Sequence, residues 1–202
     1  MLTADRRLLI EGVLFNLLLF GLWWLPDHLQ QALEFDRTAI AGGQWWRLFT
    51  ASWVHFTGYH TAMNAIGVGV IAWFLWPDNR FPFWLLALII LPVCVGVGLF
   101  FFAKEIAIYR GYSGALYGCL LIGLLLNVRK DPLWFGLATV VLLGKIVYEQ
   151  LPWFDPDYMQ SQIGAAVAAE AHLVGVLSAL VLGAAALVYP KRRPEEALTS
   201  RR

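Results

Sequence analysis

Ser113, His172, His60 and Asn64 are the residues of this chain whose types and spacing could do chemistry together, and that chemistry is acyl transfer. Ser113 stands in Gly111-Tyr112-Ser113-Gly114, at the mouth of an apolar helix. A serine hydroxyl becomes a nucleophile at neutral pH only beside a base, and histidine is the usual one. His172 is the single histidine of the last apolar stretch. The oxygen of an attacked carbonyl gains negative charge, so hydrogen-bond donors must be aimed at it. His60 and Asn64 are i and i+4 on one helical face; with the backbone N–H of Ser113 at a helix N-terminus they are the candidate donors. No carboxylate stands at an obvious third position, so a Ser113–His172 dyad is expected. Each residue taken alone has a plainer account. Serine and glycine commonly pack between membrane helices, and a lone histidine can simply hydrogen-bond to a neighbouring helix.

The elements that must position these residues are membrane helices. Of the 202 residues, 59% are apolar and 14% charged, with a mean hydropathy of +0.63. A soluble domain is about half apolar and a quarter charged, so the chain reads as a polytopic membrane protein. A net charge of +1 gives no reason to expect a nucleic-acid partner. Cys94 and Cys119 lie in apolar runs, with no Cys-x-x-Cys and no His/Cys cluster. Neither a disulfide framework, a metal site nor a cofactor is expected.

Six apolar spans are expected, at about 8–25, 60–76, 81–103, 113–126, 132–151 and 163–189, with a basic tail at 190–202. The fold class is an all-α membrane protein, one six-helix domain filling the chain. Each span approaches the ~20 residues needed to cross hydrocarbon, the fourth being short. The loop at 26–59 is rich in aromatics, among them Trp45, Trp46, Phe49 and Trp53, and suits the headgroup zone. Six spans put both termini on one side, which then carries ten of the fifteen basic residues. The positive-inside rule places that side in the cytoplasm and the long loop outside.

Spans two, four and six then run from outside to inside and end at Arg80, Arg129 and Lys191. Asn64 and Ser113 each stand 16 residues before their anchor, and His172 stands 19 before its own. These are heights of about 24, 24 and 28 Å at 1.5 Å per residue. The three polar residues therefore share one level near the outer surface. Ala168, Gly175 and Ala179 form one stripe with His172, and Gly114 and Gly118 offer a small-xxx-small mate. Tyr117, four after Ser113, could hold the imidazole by stacking. Lys145 and Glu149, i and i+4 in span five, are expected to neutralise each other as a partly buried ion pair, with Glu170 near enough to join them. The loop 152–162 is expected to cap the site.

At these residues the chain resembles the rhomboid intramembrane serine proteases. Gly111-Tyr112-Ser113-Gly114 resembles their G-x-S-G motif, with Tyr117 at the expected distance. His60-x-x-x-Asn64 resembles H-x-x-x-N, Ala171-His172-Leu173-Val174-Gly175 resembles A-H-x-x-G, and Trp46-Arg47 resembles the W-R of the first outer loop. The resemblance implies a six-helix core, Ser113 as nucleophile and His172 as general base. It also implies oxyanion stabilisation by His60, Asn64 and the Ser113 amide, with Tyr117, Gly111, Gly114 and Gly175 supporting the pair. Ala179 departs from it, where the family often has glycine.

A narrower likeness is to the rhombosortase subfamily, whose Lys…Glu-Gln signature Lys145, Glu149 and Gln150 resemble. It implies transmembrane protein substrates with C-terminal tails built as Gly-Gly, a helix and a basic end, on proteins bound for the surface of Gram-negative bacteria. The protein would then sit in the bacterial inner membrane with its active site open to the periplasm. Three alternatives are a general rhomboid protease with other membrane substrates, a non-cleaving rhomboid-like protein that binds clients, and a small transporter. Both Ser113 and His172 are present, against the non-cleaving reading. A transporter calls for midplane ionisable groups and paired broken helices, which the sequence lacks.

Overall fold

The computed structural model describes residues 4–75 and 81–188. The expectations placed on Trp76, on Arg80 and its joint, and on the tail from 189 onward lie outside the described residues.

The protein is mostly helical. Six long helices dominate the described residues: α1 (Ala4–Trp23), α5 (Gly58–Leu75), α6 (Phe81–Phe102), α7 (Ser113–Asn127), α8 (Pro132–Glu149) and α10 (Ala169–Val188). Short helices α2 (Asp27–Leu33), α3 (Arg37–Ala41) and α4 (Arg47–Thr50) build the loop between α1 and α5, and α9 (Gln160–Ile163) lies in the loop before α10. Two short strands, β1 (Phe35–Asp36) and β2 (Ile108–Tyr109), pair antiparallel with Phe35 opposite Tyr109 and Asp36 opposite Ile108.

By length and composition, two described helices suffice to cross a membrane, Phe83–Phe102 and Pro132–Glu149. Gly12–Trp23 and Asp27–Leu33, bent by 116°, would make a third if counted as one span. Ser113–Asn127 and Ala169–Ala184 are apolar but shorter. The helices that carry Ser113 and His172 are thus apolar but fall short as plain spans by length among the described residues.

α7 is the axis of the bundle. Ala115, Cys119, Leu121 and Ile122 are completely buried, and α5, α6, α8 and α10 all pack on this helix. The α7–α10 contact runs backbone to backbone. A β-carbon on Gly114 would stand 2.7 Å from the Ala171 carbonyl oxygen, and one on Gly118 would stand 2.7 Å from that of Gly175. Between membrane helices lipid offers no hydrophobic drive, so close van der Waals packing at small residues must hold the pair. Beneath the serine, the buried Tyr112 donates to the Leu88 carbonyl at 2.7 Å and packs edge-on against Phe15 and Trp53.

The loop between α1 and α5 is a packed layer tied down by arginines rather than only a headgroup anchor. Arg37 donates to the carbonyls of Leu99, Phe100, Ala103 and Ile106 at 2.6–2.9 Å. Among these is the Phe100 carbonyl, one of the last four of α6, which lack intrahelical donors. Arg47 is buried and donates to the Gln31 and Glu34 carbonyls at 2.6 and 2.8 Å. Trp46 donates its indole N–H to the Ala32 carbonyl.

The last helix begins at Ala169, not at 163. Gly164 adopts φ +82° and closes α9 in a left-handed cap, where a β-carbon would stand 2.9 Å from side-chain carbons of Phe56 and Thr57. Residues 165–168 therefore leave the helix path. Ala168 precedes α10 and so is not part of its small stripe; Gly175 and the fully buried Ala179 are.

Candidate active site

Ser113 is the first residue of α7, so its backbone N–H is among those without an intrahelical acceptor. The turn that delivers it is held on both sides. Gly111 has φ +134°, and its N–H donates to the Ala51 carbonyl at 3.1 Å. Tyr109 donates its hydroxyl to the Gly111 carbonyl at 2.6 Å. Burial pushes the Tyr109 phenol up to about 12, so it stays protonated as the donor. A side chain at 111 would be strained at that φ, and its β-carbon would stand 2.7 Å from Cε1 of His60.

His172 lies one turn into α10 and is almost fully buried. Its Nε2 stands 3.0 Å from Ser113 Oγ. The Tyr117 ring stacks on the imidazole with centroids 4.4 Å apart and planes tilted by 48°. His172 Nδ1 stands 2.9 Å from Glu149 Oε2. The other carboxylate oxygen, Oε1, is paired with the Lys145 ammonium, which also lies 4.8 Å over the Tyr117 ring.

Ser113, His172 and Glu149 thus form a hydrogen-bonded line, with Lys145 behind Glu149. Lys145 and Glu149 do form the expected ion pair, but that pair occupies only one carboxylate oxygen. Glu149 is the last residue of α8 and is buried, which turns its second oxygen toward α10. A carboxylate at this position pairs with the tautomer in which Nδ1–H donates to Oε2. Nε2 is then free to accept from the Ser113 hydroxyl. Glu170 lines the same cavity without hydrogen-bonding to the described residues.

A cavity of about 730 Å³ opens over these residues. Ser113, His172, His60, Asn64, Tyr117 and Lys145 all line it. Pro156, Tyr158 and Met159 of the loop after α8 form part of its wall. Thr57 ties that loop to the start of α5 by donating to the Gln162 carbonyl at 2.7 Å. The Asn64 side-chain nitrogen and His60 Nδ1 are buried and make no hydrogen bond with the described residues. His55, also fully buried, meets His60 edge-on at 4.9 Å. Burial, with His60 beside it, holds the His55 pKa well below the usual histidine range, so it is neutral. No group of three or more His, Cys, Asp or Glu among the described residues could hold a metal ion. Cys94 is a free thiol.

A model of the rhomboid domain matches residues 42–189. The chain belongs to the rhomboid family. No curated protein matches it. Rhomboids are integral-membrane serine proteases that act on transmembrane substrates within the bilayer. The matched region of this rhomboid contains α5 to α10 and every residue of the cavity described above, but not α1 to α3.

The residue that sequence reasoning missed is Glu149 as a partner of His172. The available signal was a carboxylate near the end of an apolar helix, which is costly to bury unless its oxygens are satisfied. A lysine four residues earlier seemed to satisfy it.

Proposed function

We propose that this rhomboid is an active intramembrane serine endopeptidase in which Ser113 is the nucleophile and His172 the general base. The observation that carries the reading is the 3.0 Å approach of His172 Nε2 to Ser113 Oγ inside a chamber large enough for a peptide segment. Ser113 Oγ attacks the scissile carbonyl carbon while its proton passes to Nε2. The carbonyl oxygen becomes an oxyanion, which the Asn64 amide, the His60 imidazole and the Ser113 N–H stabilise. That Asn64 and His60 each hold a buried nitrogen unused by the described residues supports this role. His172 then gives the proton to the leaving amine, which departs with its half of the substrate. Water, deprotonated by His172, attacks the acyl-enzyme; the bond to Ser113 Oγ breaks, His172 returns the proton to that oxygen, and the second product leaves with a free carboxylate. Tyr117 keeps the imidazole in its plane, while Gly111, Gly114 and Gly175 keep the two helices and the turn close enough for the transfer.

The natural substrates, in this reading, are C-terminal tails with a Gly-Gly segment, a membrane helix and a basic end. Lys145, Glu149 and Gln150 support that assignment by their resemblance to the rhombosortase signature. Glycines in a tail also help it unwind, because helical backbone in lipid is already bonded to itself and must open before a peptide bond can be reached. The six helices would cross the inner membrane with both termini in the cytoplasm and the chamber facing the periplasm, as the distribution of basic residues suggests.

The test is co-expression with a reporter carrying such a tail, followed by immunoblot. Wild type shortens the reporter, and Ser113→Ala and His172→Ala do not although both accumulate in the membrane. Shortening by both variants would refute the catalytic assignment. An intact reporter with wild type, together with cleavage of a general rhomboid substrate, would keep the protease and discard the tail.

A further inference from the structure

We propose that Glu149 is a positioning residue for the catalytic base, making the site a Ser–His–Glu triad whose acid is supplied by α8 and kept anionic by Lys145. The inference rests on the assignment of Ser113 and His172 above. Three observations carry it. Glu149 Oε2 stands 2.9 Å from Nδ1, the ring nitrogen opposite the one that meets the serine. A carboxylate there selects the tautomer that leaves Nε2 unprotonated, and it faces the positive charge that forms when the imidazole takes the serine proton. Second, the Glu149 side chain is only 1% exposed while that of Lys145 is 38% exposed. The acid is buried toward the base and the ammonium faces the cavity, where its charge is partly solvated. A pair that served only to bury α8 would not need its carboxylate turned onto the one imidazole that also touches the serine. Third, α8 has little else in the core. Its buried residues are Leu142, Ile146 and Glu149.

The placement has a mechanical corollary. Leu137, Val141 and Trp134 of α8 face Leu120 and Leu124 of α7 across an apolar groove of about 470 Å³, which meets the catalytic chamber at Tyr117, Leu120 and Lys145. Movement of α8 away from α7 would carry Glu149 off His172. The base is fully oriented only while α8 is docked.

The test uses the full-length protein in detergent and reads the rate at which a tagged fluorophosphonate labels Ser113, per folded molecule, with kcat and KM measured on the cleaved reporter. Glu149→Gln keeps size and shape and removes the charge. Labelling and kcat are expected to fall about 100-fold, with KM within about threefold, as when a base loses its orienting carboxylate. Glu149→Asp restores part of the rate. Lys145→Met costs about tenfold or less, since it weakens the hold on the acid without removing it. Thermal unfolding of each variant gives the folded fraction. A Glu149→Gln protein that unfolds earlier yet labels within twofold of wild type would overturn the triad and leave the dyad standing. A wild type that labels no faster than Ser113→Ala would overturn the dyad and the triad together.

Discussion

The interface between α7 and α10 and the interface between α8 and the rest of the bundle reach the same histidine by opposite means. α7 and α10 meet through Gly114, Gly118 and Gly175, with carbonyls occupying the space where β-carbons would be. α8 carries glycines too, but a β-carbon on Gly136 or Gly144 would meet nothing within 4 Å. In α8 only 17% of the most apolar window is buried, against 44% in α6. The distance from Ser113 to His172 is thus set by backbone packing, which has few ways to yield. Glu149 is presented by a helix held at its C-terminal end, through Glu149 itself and through Gln150, which donates to the Ala169 carbonyl at 3.2 Å. Packing is close between the helices that carry Ser113 and His172 and open along most of α8.

Substitutions can break this contrast at three strengths. Gly175→Val is expected to be the most damaging, because a β-carbon there would overlap the Gly114 carbonyl. Overpacking of a tight contact costs about 3 kcal/mol or more when backbone has to move. Fluorescence-detected size exclusion should show little or no monodisperse protein, and a normal profile would mean that α7 and α10 have freedom the contact does not suggest.

Ile146→Ala removes one of the three buried side chains of α8. It is expected to cost about 2 kcal/mol, the low end for such truncations, since α8 can loosen while α5, α6, α7 and α10 remain packed. Thermal unfolding followed by tryptophan fluorescence checks this. The fluorophosphonate labelling rate should fall further than the stability loss explains, through undocking of Glu149. A loss as large as that of Gly175→Val would erase the distinction between the two interfaces.

Val141→Ala alters the open side of α8, where the side chain is 64% exposed. Stability should change by less than about 0.5 kcal/mol. A larger loss would mean that the groove is filled from within the protein.

The two regions were also unequally legible in the sequence. The α7–α10 pair could be read from Gly111-Tyr112-Ser113-Gly114 and from the spacing of His172 to Gly175, because glycine, serine and histidine in a membrane helix have few roles. The common level expected for Asn64, Ser113 and His172 came from the basic residues that end their spans taken together with helix rise. Glu149 could not be placed in the same way. Its bond to His172 depends on how α8 is rotated and how far it stands from α10, and neither is written in a periodicity. Lys145 supplied a local partner that made a second one seem unnecessary. The late start of α10 was hidden because Ala165, Ala166, Val167 and Ala168 have the composition of a helix, while the left-handed Gly164 ahead of them breaks it. In the outer loop, the aromatics drew attention to the headgroups, whereas Arg37 and Arg47 were visible as residues but not as donors to particular carbonyls.

The pairing of β1 with β2 has a practical consequence for anyone building chimeras of this protein. Phe35 sits opposite Tyr109, whose hydroxyl grips the Gly111 carbonyl next to the serine turn. The two strands are far apart in the chain but form one splice unit. A graft that exchanges the outer loop with a relative's while leaving Ile108 and Tyr109 behind joins mismatched halves within four residues of Ser113. Crossover points belong outside both strands, or both strands must travel together.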